Sequence, residues 1–164
     1  MKYILGIDPG IKGGLALLSD SELMTFEMPS KKLDKKSTKR VIDEPELARL
    51  IDSWSKDIDA VVIEQVHAMP KQGVTSMFNF GLGYGIIRGI ISANFLPTIF
   101  VSPQTWKSNL GVSKDKNKSR ERATELFPNN SSEWSKVKWD GRAEAAMIAY
   151  YGKKIINIKK TIDY

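Results

Sequence analysis

The sequence predicts a single α/β domain. Three strand-like segments joined by short turns open the chain. Two further apolar strands then alternate with helical segments, and 164 residues hold little more than one core. At 41% hydrophobic and 27% charged residues the composition suits a folded globular chain. Cysteine is absent, which removes disulfides, thiolate metal sites and a cysteine nucleophile. No apolar run is long enough for a membrane span, and the start does not resemble a secretory leader, so no membrane partner is expected.

Residues 2–8, Lys-Tyr-Ile-Leu-Gly-Ile-Asp, read as a buried strand stopped by Pro9-Gly10. Residues 14–18 and 22–28 read as two more strands around Ser19-Asp20-Ser21, which suggests an antiparallel meander. Residues 29–42 are polar and lysine-rich and read as an exposed loop placed to clamp a polyanion. From Asp43, Leu47, Leu50, Ile51 and Trp54 have helical spacing with Pro45 in the first turn, predicting a helix to about Lys56. Residues 58–64 form a buried strand.

A helix is expected from about Ser76 to 93. Met77, Phe80, Tyr84, Ile87 and Ile91 share one face, and Gly81, Gly83, Gly85 and Gly89 allow close packing. Thr98 to Val101 is a short strand, residues 104–108 a helical turn behind Pro103, and Lys116 to Phe127 a basic amphipathic helix. Residues 128–132 read as a loop. The last helix begins near Asp140 with Ala143, Ala146, Met147 and Tyr150 at helical spacing. Residues 1–152 are read as the core of one domain spanning 1–164, and 153–164 as a basic tail.

The net charge is +6, from 25 Lys and Arg against 19 Asp and Glu, which favours a polyanionic partner. Lys31, Lys32, Lys35, Lys36, Lys39 and Arg40 form one cluster, and Lys114, Lys116, Lys118, Arg120 and Arg122 another. Solvated surface is the plainer alternative for either.

Four acids stand apart. Asp8 and Glu64 each close an apolar strand, where charge is costly unless a cation answers it. Asp140 and Glu144 lie four apart at the start of the last helix, on one face and near its positive end. Three have an ordinary alternative: a turn cap for Asp8, a helix cap for Asp140, an ion pair for Glu144 with Arg142, Lys138 or Arg88. One divalent-metal site accounts for all four, and hard oxygen donors without His or Cys suit Mg²⁺ or Mn²⁺.

Gly6-Ile7-Asp8-Pro9-Gly10, Val62-Ile63-Glu64-Gln65-Val66 and the run from Asp140 through Glu144 to Ala149 resemble the RuvC-type Holliday junction resolvases, within the ribonuclease H-like nucleases. The glycine-bearing segment 81–89 and the Pro103 to Gly111 segment with Trp106-Lys107 resemble that family too. The resemblance spans nearly the whole chain. It departs at the final acidic pair, three apart in most of the family but four apart here. The Gly-Arg-Ala-Glu-Ala arrangement is more similar to resolvases of phages and mobile elements.

The resemblance implies a ribonuclease H-like fold with a mixed five-stranded sheet, three strands antiparallel and two parallel, flanked by helices. It implies two Mg²⁺ per site, replaceable by Mn²⁺, held by Asp8, Glu64, Asp140 and Glu144, with Lys107 beside the phosphate. It further implies a homodimer that cuts four-way junctions to 5′-phosphate and 3′-hydroxyl nicks, with the helix 76–91 as dimer surface. The expected location is the cytoplasm of a bacterial or phage-infected cell. Expected DNA contacts are His67, Lys71, Gln72, Lys107, Lys114, Lys116, Lys118, Arg120, Lys35, Lys36 and Arg40, with His67 able to stack on a base. A flap or general branched-DNA nuclease of the same fold and a catalytically silent junction-binding module remain alternatives. A sugar-kinase-like ATPase does not fit, because it needs two domains.

Overall fold

The computed structural model describes residues 2–67, 73–113 and 115–162. Its centre is a five-stranded sheet built from β1 (Tyr3–Asp8), β2 (Gly14–Leu18), β3 (Leu23–Glu27), β6 (Ile58–Glu64) and β7 (Thr98–Val101). The spatial order is β3-β2-β1-β6-β7, antiparallel across β3, β2 and β1 and parallel from β1 through β6 to β7. This is the mixed sheet expected from the sequence. Strand limits agree closely for β2, β6 and β7.

Strand alternation divides the core into two layers. Leu5, Ile7, Leu15, Leu17, Val61 and Ile63 face α1 (Glu44–Trp54) and α2 (Val74–Ala93). Ile4, Ala16, Leu18, Ala60 and Val62 face α5 (Asp140–Ile162), flanked by α3 (Pro103–Leu110) and α4 (Lys116–Leu126). Helix α5 lies directly on the strands: a Cβ at Gly6 would sit 2.2 Å from the Ala145 carbonyl oxygen. Helix α1 starts at the Asp43 cap, whose side chain accepts the Glu46 N–H.

Three expectations need correction, and helix α5 has an end that the sequence did not give. Residues 29–42 are not one loop, because β4 (Ser30–Lys32) and β5 (Arg40–Ile42) form an antiparallel hairpin. Its anchor is Ile42, 2% exposed in the α1/α2 layer, while residues 33–36 at the tip stay exposed. Residues 128–132 belong to a 3₁₀ segment, Pro128–Trp134, because Trp134 is buried and its Nε1 donates to Thr124 Oγ1 at 3.0 Å. Helix α5 runs on to Ile162 through the expected tail. Tyr151 and Gly152, just before the tail, pack in the core, Gly152 against Val62 and Ile4 of the sheet, and within the tail Lys153 pairs with Asp20 at 2.7 Å. Finally, the α2 glycines serve close packing within the chain only at Gly83, where a Cβ would lie 3.3 Å from Ile42 Cγ1; a Cβ at Gly81, Gly85 or Gly89 would meet open space. Of the predicted apolar face, Ile87 and Ile91 are buried but Phe80 is exposed. Among the described residues no helix is long and apolar enough to cross a membrane.

Candidate active site

Ile7 of β1 is level with Ile63 of β6, so Asp8 and Glu64 leave the sheet side by side at the ends of adjacent parallel strands. Both follow an Ile that faces the α1/α2 layer, so by alternation both side chains leave on the α5 side. Helix α5 is held against the turn between β1 and β2, where a Cβ at Gly141 would lie 2.4 Å from the Lys12 carbonyl oxygen. That seating brings the first turn of α5, and Glu144 with it, to the strand ends.

The three carboxylates Asp8, Glu64 and Glu144 act on one another. Burial foremost, then the charges of Glu144 and Glu64, push the Asp8 carboxyl up to about 7; the Gly10 N–H and the Lys107 cation oppose this. Glu64 is also raised, mainly by burial and further by Glu144, against the Trp106 hydrogen bond and Lys107. Only a cation can stabilise three such groups in ionised form together. Lys107 answers part of that need, its Nζ lying 3.0 Å from Glu144 Oε1. Ser119 Oγ is 3.5 Å from the same oxygen. Glu64 Oε2 accepts the indole N–H of Trp106 at 2.6 Å.

Asp140 stands apart from this group. It lies 3.0 Å from Arg120 Nε and 3.2 Å from Lys116 Nζ. The Arg120 Nε is out of hydrogen-bond alignment with it, so both Asp140 oxygens are buried with charge but no aligned donor. The rest of the guanidinium is spent on the Trp134 and Ser135 carbonyls and on Asn117. Arg120, one of the expected DNA contacts, is therefore turned inward toward Asp140 and these partners. Asp140 has helical backbone angles and does not serve as an N-cap.

The donors fit a hard divalent cation in kind: three oxygen ligands from β1, β6 and α5, mutually repelling and poorly solvated. Among the described residues, however, no three His, Cys, Asp or Glu side chains are already arranged to hold a metal ion. Glu64 and Glu144 are engaged by Trp106 and Lys107, so binding would require Glu144 at least to exchange partners.

The remaining expected contacts scatter. Lys35, Lys36, Arg40 and Lys118 are exposed, and Arg40 Nε bonds Ser30 Oγ at 2.9 Å. Lys116 is 71% exposed beyond its contact with Asp140. It joins Lys12, Arg40 and Lys138 around a groove of about 990 Å³ between the hairpin and the start of α5. His67 is exposed beside Tyr84, Arg88 and Phe100, with the Arg88 guanidinium 4.9 Å from the Phe100 ring. Lys71, Gln72 and Lys114 lie outside the described residues. Sequence reasoning gave no role to Lys12 or Ser119, named Lys138 only as a possible partner of Glu144, and named Trp106 only within the segment that resembles the family. For Trp106 a signal existed, since a buried indole N–H must find an acceptor.

No protein-family model and no curated protein sequence matches the chain. Solved structures of similar fold include "T. thermophilus RuvC in complex with Holliday junction substrate", with TM-score 0.61, 11% identity, and 94% of this chain and 96% of that one covered. "Thermus thermophilus RuvC structure" gives TM-score 0.56 at 12% identity over 93% and 96% of the two chains. The yeast mitochondrial Holliday junction resolvase Ydc2 gives 0.53 at 18% identity over 92% of this chain and 77% of that one. At such identities the likeness establishes the ribonuclease H-like fold they share.

Proposed function

We propose that the chain is a metal-dependent endonuclease that cuts branched DNA, with the four-way junction as its substrate. The observation that carries this reading is the grouping of Asp8, Glu64 and Glu144 with Lys107 where two parallel strands end under α5, in the fold of the junction resolvases. Asp8, Glu64 and Glu144 would hold two Mg²⁺, or Mn²⁺ in their place. Asp140 would join them only by leaving Arg120, and we assign it an outer role. When bound, the metal supplies charge neutralisation for an in-line attack of water on a phosphodiester, giving 5′-phosphate and 3′-hydroxyl ends.

With Glu144 holding a metal, Lys107 would be free to set its ammonium against the phosphate, which would keep the local charge balanced. Trp106 keeps water off one face of Glu64. The groove edged by Lys12, Arg40, Lys116 and Lys138 carries the sugar-phosphate backbone of one arm, with Lys35 and Lys36 on the hairpin tip and Lys118 extending its reach. His67, exposed just beyond the end of β6, meets an unpaired base. Two symmetric cuts require two sites. The outward face of α2, with Val74, Phe78 and Leu82 more than half exposed beside Gly81, Gly85 and Gly89, suits a second copy of the chain. The same reading places the protein in the cytoplasm of a bacterial or phage-infected cell.

The test is cleavage of a synthetic four-way junction beside flap, duplex and single-stranded DNA. Paired, ligatable nicks in the junction with Mg²⁺ and none in EDTA are expected, and Asp8→Asn should bind without cutting. Equal cutting of flaps would broaden the activity to a general branched-DNA nuclease. Junction binding without any cleavage would leave a binding module, and no binding at all would refute the reading.

A further inference from the structure

Two tryptophans are almost wholly buried, and their indole N–H groups are satisfied in different ways. Trp134 donates to a neutral hydroxyl, Thr124 Oγ1, on the neighbouring helix. Trp106, with no exposed surface, donates to the carboxyl oxygen Oε2 of Glu64 at 2.6 Å, across 42 residues of sequence. The next residue, Lys107, donates to Glu144 Oε1 at 3.0 Å. Consecutive side chains of one short helix thus engage carboxylates from β6 and α5.

Helix α3 is well fixed for this. Ser102 caps it by accepting the Thr105 N–H, Gly111 ends it in the left-handed conformation, and Leu110 shares the α5-side core with Trp106. The indole has no freedom to follow Glu64, so Glu64 must conform to the indole. A carboxylate with one oxygen fixed by a rigid donor keeps the other as a ligand atom of defined direction, which raises metal affinity by reducing the ordering needed on binding.

We propose that Trp106 is a positioning residue for the metal site: its indole N–H fixes Glu64 Oε2 and presents Oε1 as the ligand atom, while Lys107 holds Glu144 until metal or phosphate displaces it. This rests on the reading of Glu64 as a metal ligand.

The experiment compares wild type with Trp106→Phe and with a full-length protein carrying benzothienylalanine at position 106, which keeps the ring shape but lacks the N–H. Mn²⁺ binding is measured by calorimetry and cleavage as a function of Mg²⁺ concentration, with junction binding in EDTA as control. Both replacements should weaken Mn²⁺ binding and raise the half-saturating Mg²⁺ by about 10- to 100-fold. Junction affinity in EDTA should stay within twofold. The shape-preserving analogue guards against a collapsed core: if it binds Mn²⁺ as wild type does, the positioning role is overturned, whatever Trp106→Phe does. If wild type binds Mn²⁺ in a Trp106-dependent way but cuts no nucleic acid, the proposed reaction fails and the positioning role stands.

Discussion

Replacing Asp8 by Asn should make the metal-free protein more stable at neutral and alkaline pH while removing its proposed activity. The Asp8 carboxyl is pushed from 3.8 up to about 7, first by burial and then by Glu144 and Glu64. The folded state therefore holds this proton more tightly than the unfolded state does. Between pH 3.8 and about 7 stability falls as pH rises, and above about 7 the whole penalty is present. A displacement of about three units corresponds to about 4 kcal/mol. Asp8 retains some exposure, so solvent screening reduces this to about 2 kcal/mol. Asn keeps an oxygen for the Gly10 N–H and sheds the charge. In urea denaturation with EDTA, the Asp8→Asn midpoint should exceed wild type by about 1 M at pH 8 and match it near pH 3.5. Mg²⁺ should raise the wild-type midpoint and leave the variant's almost unmoved. Equal midpoints at pH 8, or a gain that is larger in acid, would refute the placement of Asp8 in a crowded acidic site.

Asp140→Asn should act in the opposite sense, losing about 2 kcal/mol in the same assay because the half-buried Arg120 is left with an uncompensated charge. A neutral or stabilising result would instead place Asp140 among the repelling carboxylates. Gly6→Ala should abolish folding or cost more than about 3 kcal/mol by thermal denaturation, since the added methyl would overlap the α5 backbone. Phe78→Asp, on the exposed face of α2, should leave thermal stability within about 0.5 kcal/mol and yield monomers in sedimentation, where the proposed function expects wild type to sediment as a dimer. Converting Lys35 and Lys36 to Gln should weaken junction binding at all sequences and reduce the salt slope by about 2; an unchanged slope would make the hairpin tip plain solvated surface.

The sheet was legible because its strands are nearly continuous apolar runs. Residues 14–18 and 58–64 are buried on both faces and bounded by polar residues or turns, so their limits could be read closely. The hairpin of β4 and β5 was not legible. Its residues are mostly Ser, Lys and Arg, and it is held in place by Ile42 reaching a layer built from α1 and α2. Nothing local distinguishes such a segment from a lysine-rich loop. The 3₁₀ segment at 128–134 escaped for a similar reason: what orders it is the burial of Trp134, a tertiary event at the segment's far end.

The site divides along the same line. Asp8 and Glu64 could be picked out because an acid directly after a buried strand is electrostatically costly and so calls for a cation. Glu144 and Asp140 could not be ranked, since residues four apart share a helix face. What separates them is supplied by other helices. Arg120 and Lys116 of α4 reach Asp140, whereas Lys107 of α3 reaches Glu144. Both acids thus have cations, but of different use. Arg120 is half-buried and committed to carbonyls and Asn117, so it cannot be displaced without unpairing several groups. Lys107 has a flexible stem and its only ion pair is to Glu144 among the described residues, so it can trade that carboxylate for a phosphate. A metal competing for the two acids would take Glu144 first, and the four-residue spacing then places Asp140 one turn toward the groove, where its ion pair with Lys116 and Arg120 fixes the start of α4 against α5.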